Sequence, residues 1–232
     1  MNVEMLRNNV VEYLTTLGVP KKVLDIVCIQ YYEFEVIEEI FRKFNNIKTI
    51  MEIGSYVGVS TFLLSHFCQN IISIDPNLNI EADCRKYNED GQGNARKYFS
   101  QVIEHYKIKN CSIFDNYFSK TPRREFIDFH KPYDSNLENI PLFSLKNLDN
   151  LPTIDVVFLD GDHYWDGVMS DLLKIIQFKR LPKLILLHDV KGNWGEQIKK
   201  GVKEFQQINN DYEDLKTIGN IGYLILKENY EI

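Results

Sequence analysis

The sequence predicts an α/β protein built on a doubly wound, mostly parallel sheet, and three observations carry that prediction. Short, nearly continuous apolar runs recur as IKTIMEI (47–53), NIISID (70–75), IDVVFLD (154–160) and KLILLHD (183–189). Each is followed, directly or after a loop, by apolar residues at helical spacing; strands that are apolar on both faces belong to a sheet covered on both sides. The chain then ends in YEDLKTI and GYLILKE around Gly219-Asn220-Ile221, which reads as an antiparallel hairpin over 212–228.

Ahead of the first strand, residues 1–45 form a helical segment. Val10, Leu14 and Leu17, then Val23, Ile26 and Val27, then Phe34, Ile37, Ile40, Phe41 and Phe44 repeat at helical spacing, with Gly18-Val19-Pro20 as the break. The sheet domain occupies 46–232. Its first strand runs into a glycine loop and the helical stretch VSTFLLSHF, and residues 94–106 form a later helix. Two segments compete for the third strand, NCSIFD (110–115) and ENIPLF (138–143). The second leaves a normal loop before IDVVFLD, although Pro141 restricts it to an edge or bulge, and it is the one taken here. Residues 107–137 then become an insertion rich in aromatic and basic side chains, of the length that usually forms a lid or binding loop.

Composition narrows the function classes. A chain of 232 residues with 44% hydrophobic and 26% charged side chains suits one well-buried domain. Its net charge of −6 leaves no basic footprint for a phosphate backbone, so a small-molecule substrate is expected rather than nucleic acid. Cys28, Cys68, Cys84 and Cys111 lie far apart with no zinc spacing, which fits reduced thiols in a cytoplasmic protein. No apolar run approaches the roughly 20 residues that span a bilayer, so no membrane is expected, and self-association is left open.

The chemistry concentrates at the ends of the strands. In MEIGSYVGVST, Gly54 and Gly58 separate a buried strand from a helix, where a missing Cβ permits a sharp turn and close approach of a ligand. Asp75 ends the next strand, about 20 residues on, where a carboxylate accepts hydrogen bonds from the ribose hydroxyls of a nucleoside. Asp160 and Asp189 end two further strands, on the rim where open sheets bind ligands. Two close carboxylates recruit a cation such as Mg²⁺, which would lower the pKa of a substrate hydroxyl; otherwise Asp160 accepts hydrogen bonds from a cofactor and Asp189 caps a helix. His163 follows Asp160 by three residues, and an imidazole with an ordinary pKa near 6.5 can take a hydroxyl proton at neutral pH; otherwise it orients the loop or contacts a cofactor's adenine.

These motifs resemble the class I S-adenosylmethionine-dependent methyltransferases, in particular the enzymes related to catechol O-methyltransferase and the bacterial small-molecule and sugar O-methyltransferases. The resemblance covers residues 47–228 and implies a seven-stranded Rossmann-like sheet whose last strand inserts beside the sixth. It implies that Glu52, Gly54, Ser55, Tyr56 and Gly58 line the methionine end of the cofactor, with Ser60 near its carboxylate, Asp75 on its ribose and, if 138–143 is the third strand, Ser144 beside the adenine. It places His163 where the catechol enzymes carry a lysine base, and Asp160 and Asp189 at their metal positions. Val190 stands where those enzymes have Asn, so His188 or Asp162 is the substitute ligand. Amino-directed DNA methyltransferases carry an Asn/Asp-Pro-Pro-aromatic turn after the fourth strand; this chain has DGDH, which favours oxygen as the acceptor. Nicotinamide-binding domains fit less well, since GxGxxG is absent. Two alternatives share the scaffold: a metal-assisted enzyme related to cephalosporin hydroxylase, and a protein that binds S-adenosylmethionine without transferring methyl.

Overall fold

The computed structural model describes residues 2–119 and 142–227. The first 45 residues fold as three helices, α1 (Val3–Thr16), α2 (Lys21–Val27) and α3 (Tyr31–Phe41). The break at Gly18-Val19-Pro20 is present, and a second one follows at Cys28–Gln30, where the backbone is extended at Cys28 and Gln30. Gln30 and Glu33 then open α3 with a capping box.

The sheet begins with β1 (Thr49–Ile53), followed by α4 (Val59–Leu64), β2 (Asn70–Asp75), α5 (Glu81–Lys86) and α6 (Ala95–His105). Next come β3 (Cys111–Asp115), α7 (Leu145–Asp149), β4 (Val156–Leu159), α8 (Trp165–Ile175), β5 (Leu184–Leu187), α9 (Gly192–Ile208), β6 (Lys216–Ile218) and β7 (Ile221–Ile225). The strand order is β3-β2-β1-β4-β5-β7-β6. The first five strands are parallel, and β7 lies antiparallel between β5 and β6. This is the expected doubly wound sheet with its terminal hairpin. Chain direction across the sheet reverses between β1 and β4, so the crevice outside their carboxyl ends is the natural ligand site.

Alternation along the central strands splits the core into two layers. Ile50, Val156, Phe158, Leu184 and Leu186 face one layer, which also takes Val10, Leu14, Phe34, Ile37 and Ile40 from the N-terminal helices. Met51, Ile53, Val157, Leu159, Ile185 and Leu187 face the other, against Leu172 and Ile175 of α8 and Val202 and Phe205 of α9. The three leading helices thus complete the cover of one sheet face.

The third strand corrects the sequence reading. It is Cys111–Asp115, paired in register with Ile71–Asp75, and not 138–143. Being an edge strand, β3 has one hydrogen-bonded neighbour and half-open faces, so it tolerates Ser112 and Asp115 at exposed positions and never shows the apolar run of a central strand. Residues 138–141 lie outside the described residues, and Leu142 makes one parallel bridge to Tyr117. Of the expected insertion, 107–119 supplies a turn, this strand and the wall that follows it, while 120–137 lies outside the described residues. No helix among the described residues is long and apolar enough to cross a membrane.

Phe34 is fully buried in the shared layer, its ring 5.6 Å from that of Phe67. Truncation to alanine should cost about 3–5 kcal/mol, read as a lower urea midpoint in a single cooperative transition. A separate early transition would instead mean that the N-terminal helices unfold independently of the sheet.

Candidate functional site

The end of β1 turns on Gly54, whose φ of +86° is open to glycine. A Cβ there would lie 2.1 Å from the carbonyl oxygen of Asp160, so the absent side chain lets the ends of β1 and β4 meet. Gly54 N–H donates to the Ile74 carbonyl (2.9 Å), and Asp160 N–H donates to that of Ile53 (2.8 Å). Asp75 then pins the loop. Its Oδ2 accepts the backbone N–H groups of Ser55 (3.0 Å) and Tyr56 (2.9 Å), and its Oδ1 accepts that of Asn77 (2.8 Å). Burial outweighs these three donors and raises the Asp75 pKa above its ordinary value.

A cavity of about 520 Å³ opens over this loop. Of the residues expected at a cofactor, Gly54, Ser55, Tyr56, Ser60 and Asp75 line it. Glu52 and Gly58 do not: Glu52 is fully buried beneath the loop and accepts a hydrogen bond from the Thr61 hydroxyl, while Gly58 caps α4. Ser144 is also displaced. Its assignment depended on 138–143 being the third strand, and it instead caps α7 from an exposed position. The wall it was to supply comes from Asn116, Tyr117, Phe118 and Ser119, directly after β3. Lys174 of α8 secures that segment by donating to the carbonyls of Phe118 and Phe143.

At the far side the cavity reaches Asp160, His163 and Asp189. His163 Nε2 sits 3.5 Å from Asp160 Oδ1 and 3.4 Å from Asp189 Oδ2. Its ring stacks on Trp194, centroid to centroid 5.7 Å, and Tyr164 meets the same indole edge-on. Trp194 stands in the first turn of α9 and is 37% exposed. The extended Cys28-Ile29 break and Ile26 and Val27 of α2 complete the mouth.

His188 is not placed as a metal ligand. Its Nδ1 lies 3.0 Å from Asp160 Oδ1 and its Nε2 lies 3.1 Å from Glu33 Oε2, so both nitrogens face carboxylates. Burial would lower its pKa, but the charge of Asp160 and the hydrogen bonds of Asp160 and Glu33 hold it well above the usual histidine value. With both nitrogens turned to these carboxylates, His188 does not line the cavity. Asp160 responds in kind: burial alone would raise its pKa, and the charge of His188 with the hydrogen bonds from His163 and His188 bring it down to about 2. Among the described residues, the group able to offer three ligand atoms within 4.8 Å of one another is Asp160, His163 and Asp189. Val190 is fully buried and offers none.

Sequence reasoning missed Glu33, Asn220, Trp194 and the Asn116–Ser119 wall. Glu33 carried a recognisable signal as the acidic partner of the capping box, but its burial at 5% exposure was not legible. His66 bonds to the Phe62 carbonyl and His105 stacks on Tyr13, both away from the cavity.

The site and sheet order together define a class I methyltransferase scaffold. A profile described as a methyltransferase domain matches residues 51–190, and the chain belongs to that family. No curated protein matches significantly. Similar solved structures include an O-methyltransferase from Bacillus cereus in complex with S-adenosylhomocysteine, at 12% identity and TM-score 0.56, covering 95% of this chain and 90% of that one. The S-adenosylhomocysteine-bound methyltransferase PaMTH1 from Podospora anserina is 13% identical with TM-score 0.55, over 96% of this chain and 88% of its own. The O-methyltransferase TomG from Streptomyces achromogenes, involved in tomaymycin synthesis and in complex with S-adenosylmethionine, is 12% identical with TM-score 0.54, over 95% and 89%. At such identities the likeness is one of fold.

Glu52 gives the site a pH signature. Burial raises its pKa to about 8 against the partial compensation of the Ser60 and Thr61 hydroxyls, with the Asp160 and Asp75 charges adding to the rise. The folded chain therefore keeps a proton that the unfolded chain releases above pH 4.5. Stability from this group is complete below pH 4.5 and declines as pH rises to about 8, by up to roughly 1 kcal/mol per pH unit. In urea titrations Glu52→Gln should remove that decline, gaining on the parent between pH 6 and 9; parallel profiles would refute a protonated Glu52.

Proposed function

We propose that the protein transfers a methyl group from S-adenosylmethionine to a hydroxyl of a small molecule, with His163 as the proton acceptor. The observation that carries this reading is the single cavity joining the Gly54/Asp75 loop to the Asp160–His163–Asp189 cluster. Its volume suits a cofactor with a small acceptor. Tyr117, whose hydroxyl is buried without a hydrogen-bond partner, lines the nucleoside wall, where a ligand would relieve the cost of that orphaned group.

When bound, S-adenosylmethionine supplies an electrophilic methyl on a sulfonium. The loop residues Ser55, Tyr56 and Ser60 would hold its methionine end, Asp75 its ribose, and the Asn116–Ser119 wall its adenine. His163 then acts on the acceptor. With Nε2–H directed at the two carboxylates, the ring would keep its lone pair on Nδ1 to accept the proton of the acceptor hydroxyl. Asp160 and Asp189 stabilise the imidazolium that results. Oxygen as acceptor agrees with DGDH after β4, and two of the similar structures are named O-methyltransferases.

The three-residue cluster favours a second reading, in which a divalent cation sits on Asp160, His163 and Asp189 and lowers the pKa of the acceptor hydroxyl. One imidazole nitrogen with two carboxylate oxygens suits Mn²⁺, Fe²⁺ or Zn²⁺ better than the Mg²⁺ anticipated from carboxylates alone. His163 cannot then be the base through the coordinating nitrogen.

By calorimetry, S-adenosylhomocysteine should bind with a Kd of about 1 μM or tighter. Asp75→Ala should weaken it by about tenfold or more, since the loop loses its pin and the ribose its acceptor. Unchanged affinity would put the cofactor elsewhere. With an acceptor from a screen of hydroxylated compounds, His163→Ala should lower kcat by about 10²- to 10⁴-fold at nearly constant cofactor affinity. Activity abolished by chelator and restored by Mn²⁺ would select the metal reading; full activity in chelator leaves His163 as the base.

A further inference from the structure

Glu33 lies in α3, ahead of residues 51–190 that define the family, and Asn220 lies after them in the β6–β7 turn. The fold brings both behind the catalytic rim. Glu33 Oε2 accepts the Gln30 backbone N–H at 2.7 Å, which is its part in the capping box. A capping glutamate needs nothing more and can stay at the surface, yet Glu33 is 5% exposed and accepts two further hydrogen bonds. His188 Nε2–H donates to its Oε2 at 3.1 Å, and the other nitrogen of that ring donates to Asp160 Oδ1 at 3.0 Å. Asn220 Nδ2 donates to Glu33 Oε1 at 2.8 Å and to Asp189 Oδ1 at 2.8 Å.

One carboxylate on α3 is therefore linked to both rim aspartates, through one intermediary each. Asp189 has a left-handed φ of +57°, an uncommon conformation outside glycine that surrounding contacts must hold. Asn220 supplies them: its carbonyl accepts Val190 N–H (3.2 Å), its Oδ1 accepts Lys191 N–H (3.0 Å), and its amide nitrogen holds the Asp189 carboxylate. Between the two aspartates stands His163, which Glu33 does not bond.

We propose that Glu33 is a positioning residue for methyl transfer: through His188 and Asn220 it sets the placement of Asp160 and Asp189, and through them the orientation of His163. The proposal rests on the function read above and extends it to the N-terminal helices, which become part of the working site. Glutamine at position 33 keeps the size of the side chain but loses an acceptor. If its amide oxygen serves Gln30 and His188, its NH₂ faces the NH₂ of Asn220. Asn220 cannot turn over without presenting its oxygen to Asp189 and abandoning Lys191, so the second link breaks.

The test uses the full chain with Glu33→Gln, read by imidazole ¹H–¹⁵N correlation, by calorimetry with S-adenosylhomocysteine and by kinetics on the acceptor. The ring resonances of His163 should move although Glu33 does not touch it, S-adenosylhomocysteine affinity should stay within about twofold, and kcat should fall about 10- to 100-fold, the usual cost of losing an outer partner of a site. Should Glu33→Gln fail to fold, Asn220→Ala, which keeps the His188 link and removes the one to Asp189 together with the Lys191 contact, should give the same pattern. Ring signals of His163 that superimpose on the parent's, or an unchanged kcat, overturn the proposal. Failure of the underlying function reads differently, as a parent protein that does not bind S-adenosylhomocysteine at all.

Discussion

One methyl group at residue 54 would force the ends of β1 and β4 apart. The ends of β1 and β4 approach until the Asp160 carbonyl fills the place of a Gly54 Cβ, and the contacts that build the cavity radiate from there. Gly54 N–H reaches β2 and Asp160 N–H reaches β1, so the carboxylates of Asp75 and Asp160 are set at the strand ends by backbone geometry before any ligand is considered. The glycine requirement usually attributed to ligand approach is here first a requirement of strand packing. The loop residues Ser55 and Tyr56 follow because Asp75 binds their N–H groups, and the cavity floor is the result.

How much of this was legible depended on how many neighbours each residue has. Central strands carry their signal locally: Ile50, Met51, Val157 and Leu186 must be apolar because both faces are buried, so β1, β2, β4 and β5 were readable from single runs. The edge strand β3 lacks that constraint, and NCSIFD lost to ENIPLF on an argument from loop length. That one error carried Ser144 with it and hid the Asn116–Ser119 wall. The sites read from strand ends, Asp75, Asp160, His163 and Asp189, do converge on one cavity, because a parallel sheet turns sequence position at a strand end into spatial proximity. Glu33 and Asn220 had no such rule to reveal them: they reach the rim from elements 187 residues apart in the chain.

The rim also explains why the buried histidine is His188 and the accessible one is His163. Burying a carboxylate in isolation is unfavourable, and Asp160 and Glu33 are each mostly withdrawn from water. Placing an imidazole between them, its pKa raised by both carboxylates, gives each a partner that lowers its own pKa against the cost of burial. Such an arrangement is weak evidence for stability, because desolvation consumes much of the attraction. Its value lies in direction: the link fixes which oxygen of Asp160 is occupied from behind and where the group stands relative to the cavity.

A base at His163 and a cation at His163 make opposite demands on the same nitrogen, since Nε2 must carry a proton in one case and a lone pair in the other. Both nevertheless need Asp160 and Asp189 at fixed separation on either side of the ring. The chemistry common to the two readings is therefore positional: a hydroxyl oxygen must be held in line with a sulfonium methyl and shielded from water, and alignment alone can account for a large share of such an acceleration. On the proposed role of Glu33, part of that alignment would come from outside the matched family segment, from a helix whose sequence advertises only a cap and a core face. Backbone hydrogen bonds already set Asp160 and Val190 at their strand ends, so what Glu33 would add is the direction of the two carboxylates on either side of His163, through His188 and Asn220.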